Sequence, residues 1–397
     1  MQQTVLERRT SPTSLGRKMR IACVQGGDYW STKRRLQANG AEYYSGQRYT
    51  VDAYERFARG YARLIVSLDA PYYAHQQGRA RYRGVPRPLD TRAVPRRVSE
   101  WLRAQQIIRE LERFRATHLI VRCNDLVGCE LLKWAARRRI PTAGILASRF
   151  GREHRQSQRF CELANSPNVL LMANHNRVAT ESMVEAGMHP QKAIAWDYPP
   201  AVHPADHAPK QLPTSGPIKV LFAGRVCDDK GIPELIDACA RLRPQNKSFE
   251  LTICGDGPML PELRNHPAVS AGWLTLTGLM QNAHIHKCMR ESVITVVPSR
   301  HEFAEGLPLV IYESLAVRTP LVISDHPIFT RYFQNDFGVR FFESPDPANL
   351  ATALASLASD PTAYARLSAE TEAVWQSLAC PTTFDDILQR LRKAWDL

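Results

Sequence analysis

Along the second half of the chain, apolar residues gather in short continuous runs separated by stretches with a helical period. IKVLFAG (218–224), FELTICG (249–255), LTLTG (274–278), SVITVVPS (292–299), PLVISD (320–325) and GVRFFE (338–343) have strand length and end in Gly, Ser or an acid. Such runs suit strands buried on both faces of a parallel sheet. Between the first two, Ile232, Leu235, Ile236, Cys239 and Leu242 recur at helical spacing, and helices are expected near 280–291 and across 306–317. Strands alternating with helices predict a doubly wound α/β sheet.

The first half repeats this grammar less cleanly. MRIACVQGG (19–27), HLIVRCND (118–125) and PTAGILA (141–147) read as strands, with NVLLMAN (168–174) and AIAWDY (193–198) as two more. A helix is expected from about Val98 to Phe114, with Trp101, Leu102, Ile108 and Leu111 on one side. The Pro- and Arg-rich stretch 75–97 has no clear period and reads as a long loop or lid. Residues 199–217 are Pro-rich and aperiodic, as a linker is. The division is then a basic disordered tail (1–18), a first domain (19–198), a linker (199–217) and a second domain (218–380), with the two domains facing a cleft.

Composition narrows the class. A chain of 397 residues suits two domains. Its 44% hydrophobic and 23% charged content is that of a soluble globular protein. No apolar run approaches a membrane span. No apolar core follows the early charges, so a secretory leader is not expected and the protein reads as cytoplasmic. Nine cysteines stand singly, without a C-x-x-C pair or zinc spacing, so none is expected to carry chemistry.

Charge divides the halves. Residues 1–200 hold 34 Lys and Arg against 17 Asp and Glu, a net of +17, whereas residues 201–397 hold 18 against 22, a net of −4. A basic half suggests an anionic partner: a membrane surface, a phosphorylated acceptor or nucleic acid. It is also compatible with a merely soluble surface. No aromatic-interleaved motif accompanies the charge, which argues against nucleic acid.

Candidate chemistry lies where second-domain strands end. AGRVCDDKG (223–231) puts Gly224, Arg225 and Lys230 just before a helix, a setting suited to a diphosphate. In CGDGP (254–258), Gly255 and Gly257 could let backbone approach a ligand. PSRHEFAEGLPLVIYESLA (298–316) carries Glu305 and Glu313, eight positions apart, around Gly306, Leu307 and Pro308. On a continuous helix these two carboxylates would share one side, with Leu307, Val310, Ile311 and Leu315 anchoring the buried face. In the first domain, Gly26 and Gly27 follow the opening strand.

Taken in order, GRVCDDKG, CGDGP, PS, EGLPLVIYE and PLVISD resemble the retaining GT-B glycosyltransferases of the family 4 type, over about 218–345. The resemblance implies two Rossmann-like domains and a UDP- or GDP-sugar donor. Arg225 and Lys230 would hold its diphosphate, and Glu305 its sugar hydroxyls, aided by backbone of Gly306, Leu307 and Pro308. Glu313 would bind the ribose, Ser299 would line the pocket, and Gly26 and Gly27 would approach the phosphates. Residues 381–397 resemble the helix that crosses back to the first domain in such enzymes.

No metal is expected, since no D-x-D occurs and the cation pair can stabilise the departing diphosphate. Retention implies front-face substitution, with the leaving phosphate oxygen taking the acceptor's proton. Many members carry a first-domain His after a strand. Here GILASRF offers Ser148 and Arg149 instead, and the nearest His is His154. Asn124, Asp125 and His175 are alternative cleft residues or plain structural ones.

The leading expectation is transfer to a lipid-linked glycan in cell-envelope or exopolysaccharide synthesis, at the inner membrane face. Stretches 79–97 and 131–139 are the candidate membrane contacts. A small soluble acceptor is the alternative, and outside this chemistry a sugar-nucleotide epimerase, a phosphorylase, a nucleic-acid binder or an inactive partner subunit.

Overall fold

A computed structural model describes residues 19–40, 42, 46–87, 95–151, 153–243, 249–303 and 305–397. The expected tail over 1–18 and part of the 79–97 stretch lie outside the described residues. In chain order the first domain runs β1 (Arg20–Gly26), α1 (Tyr29–Gln37), α2 (Gln47–Phe57), β2 (Ala62–Leu68), β3 (Tyr73–Gln77), β4 (Ala80–Val85) and α3 (Arg96–Phe114). It continues β5 (His118–Arg122), α4 (Leu126–Arg138), β6 (Thr142–Leu146), α5 (Arg155–Ala164), β7 (Val169–His175), α6 (Arg177–Glu185) and β8 (Ala193–Trp196). The second domain runs β9 (Ile218–Ala223), α7 (Ile232–Leu242), β10 (Phe249–Cys254), α8 (Leu260–Leu263), α9 (Pro267–Ser270), β11 (Leu274–Gly278) and α10 (Asn282–Glu291). Then follow β12 (Ile294–Val297), α11 (Leu309–Ala316), β13 (Leu321–Ser324), α12 (Pro327–Tyr332), β14 (Val339–Phe342), α13 (Pro347–Ser359), α14 (Pro361–Leu378) and α15 (Phe384–Ala394).

Two sheets result, ordered β3-β4-β2-β1-β5-β6-β7-β8 and β11-β10-β9-β12-β13-β14. All pairings are parallel except β3 with β4. Each sheet reverses its direction of growth once, between β1 and β5 and between β9 and β12, and these switch points open crevices at the strands' carboxyl ends. The α/β expectation holds, with the apolar runs of both halves becoming strands of the two sheets.

Two expectations need correction. Stretch 75–97 is not simply a loop, because its first part pairs as the β3–β4 hairpin. The alternation is masked by arginine: Ala80 and Tyr82 are buried, while Arg83 pairs with Glu110 (3.2 Å) and the Arg81 guanidinium lies over the Phe114 ring. Gly78, at φ +56°, turns the hairpin. On α3, Ile108 and Leu111 are buried but Trp101 and Leu102 are 45% and 50% exposed, so the four do not share a side.

Residues 199–217, expected as a linker, pack on the second domain. The Lys210 ammonium donates to the carbonyls of Met289, Arg290 and Ser292 and to the Thr319 hydroxyl, at 2.6–3.0 Å. It thereby caps the carboxyl end of α10. Arg318 donates to the carbonyls of Pro204 and His207, and Leu212 is buried in the second-domain core.

The chain crosses between domains twice, side by side. The Asp197 amide donates to the Thr382 carbonyl at 2.9 Å, and Phe384 packs on Trp196. Beyond that crossing, Phe384, Ile387, Leu388, Leu391 and Trp395 of α15 join the first-domain core with Ile21, Tyr54 and Phe57. Thr383 and Asp386 form a capping box that starts this helix.

Candidate active site in the interdomain cleft

The switch points collect most of the residues singled out in the sequence. Gly26 ends β1 and Gly27 follows it, Gly224 and Arg225 follow β9, and Pro298 and Ser299 follow β12. Glu305 is their hub. Its side chain is 5% exposed, is ion-paired with Lys230 and accepts from Ser299 Oγ at 2.5 Å. The Lys230 ammonium also lies 4.4 Å from the centre of the Phe303 ring. A buried carboxylate without such partners would be costly, so Lys230 and Ser299 hold it in place.

The helical argument for the two glutamates does not hold. Residues 305–308 are not helical, and α11 begins at Leu309 with Pro308 as its cap at φ −62° and ψ 137°. A residue before proline is biased away from helix, and proline offers no N–H to the first turn. Glu305 therefore sits in a loop ahead of the helix and Glu313 within it. Nothing lies within 4 Å of a Cβ built on Gly306, so the backbone there faces open space. The Leu307 side chain is buried in the core, which leaves its backbone alone to meet a ligand.

Glu313 faces a cavity of about 310 Å³ whose walls include both crossing segments, His286, Tyr312 and Trp375. His286 Nε2 lies 3.2 Å from Glu313 Oε1, but the two are out of line and form no hydrogen bond. Arg225 is exposed beside the cleft and in no ion pair among the described residues.

Gly255 and Gly257 have a structural reason to be glycine. Gly255 has φ +141° and a Cβ there would stand 1.8 Å from the Gly224 carbonyl oxygen. A Cβ on Gly257 would meet the Val226 carbonyl oxygen at 2.2 Å. The loops after β9 and β10 are zipped together by Gly224 N–H to Cys254 O and Val226 N–H to Asp256 O, both 2.9 Å. Gly26 and Gly27 differ, for nothing lies within 4 Å of either built Cβ.

From the first domain, Arg149 reaches across the cleft and donates from Nη1 to the Glu305 carbonyl at 2.8 Å. Its loop is pinned on both sides. Buried Asn174 accepts from Ser148 N–H and donates to the Ser148 carbonyl, and Phe150 N–H donates to Ser182 Oγ. Three of the other first-domain candidates have partners within their own domain. Asp125 caps α4 through Gly128 N–H, His175 pairs with Asp197 at 3.0 Å, and exposed His154 lies against Glu153. Asn124 is half-buried at the end of β5.

Sequence reading missed the braces of the site loop. Arg300 grips Asp228 and Glu234, both on the Lys230 side, and its amide donates to the Asp229 carbonyl at 2.9 Å. His326 is buried, accepts from Ile328 N–H at Nδ1 and donates from Nε2 to the Phe303 carbonyl at 3.0 Å. Burial holds its pKa below the ordinary 6.5. His301 pairs with Asp325 at 2.7 Å. Arginine and histidine inside PSRHEF and SDHP gave no periodic signal, because their partners lie on other elements.

The family model for glycosyl transferases group 1 matches residues 205–374. The chain is similar to alpha-D-kanosaminyltransferase of Streptomyces kanamyceticus, 34% identical over 27% of each chain. It is also similar to glycogen synthase of Mycobacterium tuberculosis, 29% identical over 43% of this chain and 42% of that one. The matched part thus spans about a quarter to two fifths of these relatives' length. Among solved structures, Anabaena HepE in complex with UDP superposes with a TM-score of 0.60 at 12% identity, over 95% of this chain and 99% of that one. Sucrose-phosphate synthase from Thermosynechococcus elongatus gives 0.58 at 16% identity, over 95% and 98%. The protein has the GT-B fold of these glycosyltransferases, and its second domain, together with the linker packed on it, is the part that matches glycosyl transferases group 1.

Proposed function

We propose that the protein is a retaining glycosyltransferase of the family 4 type, using a UDP- or GDP-sugar and no metal. The observation that carries this reading is the convergence of Lys230, Ser299 and Arg149 on Glu305 in a cleft between two switch points. The diphosphate sits between Arg225, Lys230 and the open backbone of Gly26 and Gly27. The sugar hydroxyls meet Glu305 and the amides of Gly306 and Leu307, and Pro308 and Ser299 close the wall. Glu313 takes the ribose. HepE bound to UDP and to UDP-glucose supports a nucleotide sugar as donor.

In the reaction, the bond from the sugar's C1 to the diphosphate oxygen breaks as the acceptor oxygen bonds C1 from the same face. The proton of the acceptor hydroxyl passes to the departing phosphate oxygen, whose new charge Arg225 and Lys230 offset. The acceptor is a lipid-linked glycan met at the cytoplasmic face of a membrane. No helix among the described residues is long and apolar enough to cross a membrane, which fits a peripheral association.

The test is the anomer released when donor is turned over slowly on water, followed by proton NMR. Release of the donor's own anomer, lost in Glu305→Gln, supports the reading. Release of the opposite anomer overturns retention, and no release with any nucleotide sugar counts against an active transferase.

A further inference from the structure

The described residues expose seven large hydrophobic side chains, and three of them stand together on α3: Val98 (45%), Trp101 (45%) and Leu102 (50%). Val98, Trp101 and Leu102 are spaced i, i+3, i+4 and so form a short stripe on α3. The rest of that exposed side is polar, with Gln106 and Arg109, whereas Ala104, Ile107, Ile108 and Leu111 pack inward. The stripe is therefore confined to the first two turns of the helix.

Topology puts those turns beside the cleft. Helix α3 leaves the carboxyl end of β4 and runs back to the amino end of β5, so its start lies at the sheet edge where Gly26, Gly27 and Arg149 stand. Asp69, just beyond β2, accepts from Arg87 beyond β4 (3.1 and 3.2 Å) and from Arg103 of α3 (3.0 Å). Arg96 and Arg97 are exposed in the first turn, which carries no acid, and neither is in an ion pair among the described residues. The nearby acids, Asp69 and Glu100, are occupied by Arg87 and Arg103.

We infer that this patch is a docking surface for an anionic lipid membrane, with Val98, Trp101 and Leu102 entering the headgroup boundary and Arg96 and Arg97 meeting lipid charge. Apolar side chains ringed by arginines on a helix match such a surface in both chemistries at once. An exposed apolar cluster is otherwise unfavourable on a soluble protein. The second candidate contact, residues 131–139, is excluded by position. Arg137, Arg138 and Arg139 end α4 at the amino edge of the sheet, away from the cleft, and Arg138 is paired with Glu112. Docking through α3 brings the mouth of the cleft to headgroup level, where a lipid-linked acceptor presents its sugar. The inference rests on the transferase reading for that last step only.

The experiment is vesicle flotation with phosphatidylcholine alone and with phosphatidylglycerol added, over a salt series. Wild type is compared with Val98→Ser/Trp101→Ser/Leu102→Ser, Arg96→Ser/Arg97→Ser and, as control, Arg137→Ser/Arg138→Ser. All of these residues except Trp101, Leu102 and Val98 are charged surface groups, and thermal unfolding checks that each variant folds. Binding is expected for anionic vesicles only, weakening with salt, and falling about 30-fold in the arginine pair and at least ~10-fold in the apolar triple, with the control unchanged. Absence of wild-type binding, or binding untouched by the apolar triple, overturns the inference. Loss in the arginine pair alone, with equal binding to a short duplex DNA, assigns the patch to nucleic acid instead. Binding of UDP- and GDP-sugars without vesicles is measured on the same proteins and is expected to be unchanged. If wild type binds vesicles but no nucleotide sugar, the transferase reading fails while the docking surface stands.

Discussion

Arg149 of the first domain donates to the main-chain carbonyl of Glu305 in the second, at 2.8 Å across the cleft. The peptide it grips links Glu305 to Gly306, whose amide is proposed to meet the donor. A donor on the carbonyl polarises that peptide, and it holds the two domains in register at the reacting centre. Asn174 and Ser182 hold the loop that carries Arg149 through the backbone of Ser148 and Phe150.

Replacing Arg149 is expected to act on turnover more than on folding. Arg149→Ala should lower kcat/KM by about 10- to 100-fold, as loss of a charge-assisted hydrogen bond does. Arg149→Lys should recover part of it, and the melting temperature should hardly move because the side chain is exposed. Steady-state kinetics of the three proteins check this. An unchanged kcat/KM in Arg149→Ala would remove Arg149 from the site.

Lys230→Met leaves the Glu305 carboxylate buried with only Ser299 as a hydrogen-bond partner. Breaking such a pair is expected to cost roughly 2–4 kcal/mol of stability, somewhat less than the usual range because Ser299 remains. Lys230→Met with Glu305→Gln should be more stable than Lys230→Met alone. Urea unfolding of both variants measures the difference, and equal stability would mean the pair is not coupled.

The glycines should divide into two kinds. Gly255→Ala forces a methyl into the Gly224 carbonyl at a positive φ, so a loss of at least ~2 kcal/mol is expected. Gly26→Ala meets nothing within 4 Å and should fold normally while weakening donor binding. Thermal melts with and without nucleotide sugar separate the two effects. A Gly255→Ala protein as stable as wild type would contradict the zipped loops.

His326 gives the site loop a sensitivity to acid. Its folded pKa is held below 6.5 by burial, so the unfolded chain binds the proton first as pH falls. The stability due to neutral His326 is full above 6.5 and is lost as pH drops through the folded value. Protonation at Nδ1 also removes the acceptor of Ile328 N–H. Stability measured from pH 7.5 to 5 should fall more steeply in wild type than in His326→Asn, which keeps a capping side chain without titrating. Parallel curves would rule the histidine out.

How far the sequence could be read follows from what kind of signal each residue leaves. The central strands were legible because burial on both faces leaves unbroken apolar runs such as IKVLFA and LTICG. Hairpin β3–β4 was not, since Arg81 and Arg83 supply its outer face and their pairing with Phe114 and Glu110 depends on a helix far along the chain. Glu305, Lys230 and Arg225 were legible as a motif, but their geometry was not. Pro308 starts the helix three residues after Glu305, and that overrides a count of helical turns. Arg300 and His326 left no trace, because their roles come from contacts between loops. Glycine was ambiguous for a physical reason: the same residue serves open space at Gly26 and a backbone collision at Gly255.

The central claim is that the cleft around Glu305 binds a nucleoside diphosphate sugar. The most direct test is a thermal-shift panel of UDP-, GDP-, ADP- and dTDP-sugars on wild type, Arg225→Ala and Glu313→Ala. Both replaced residues lie outside the Lys230–Glu305 pair, so both variants should fold. Stabilisation of wild type by a UDP- or GDP-sugar, lost in both variants, is the expected result. No shift with any of the four, or a shift that survives both substitutions, would contradict the proposed donor site.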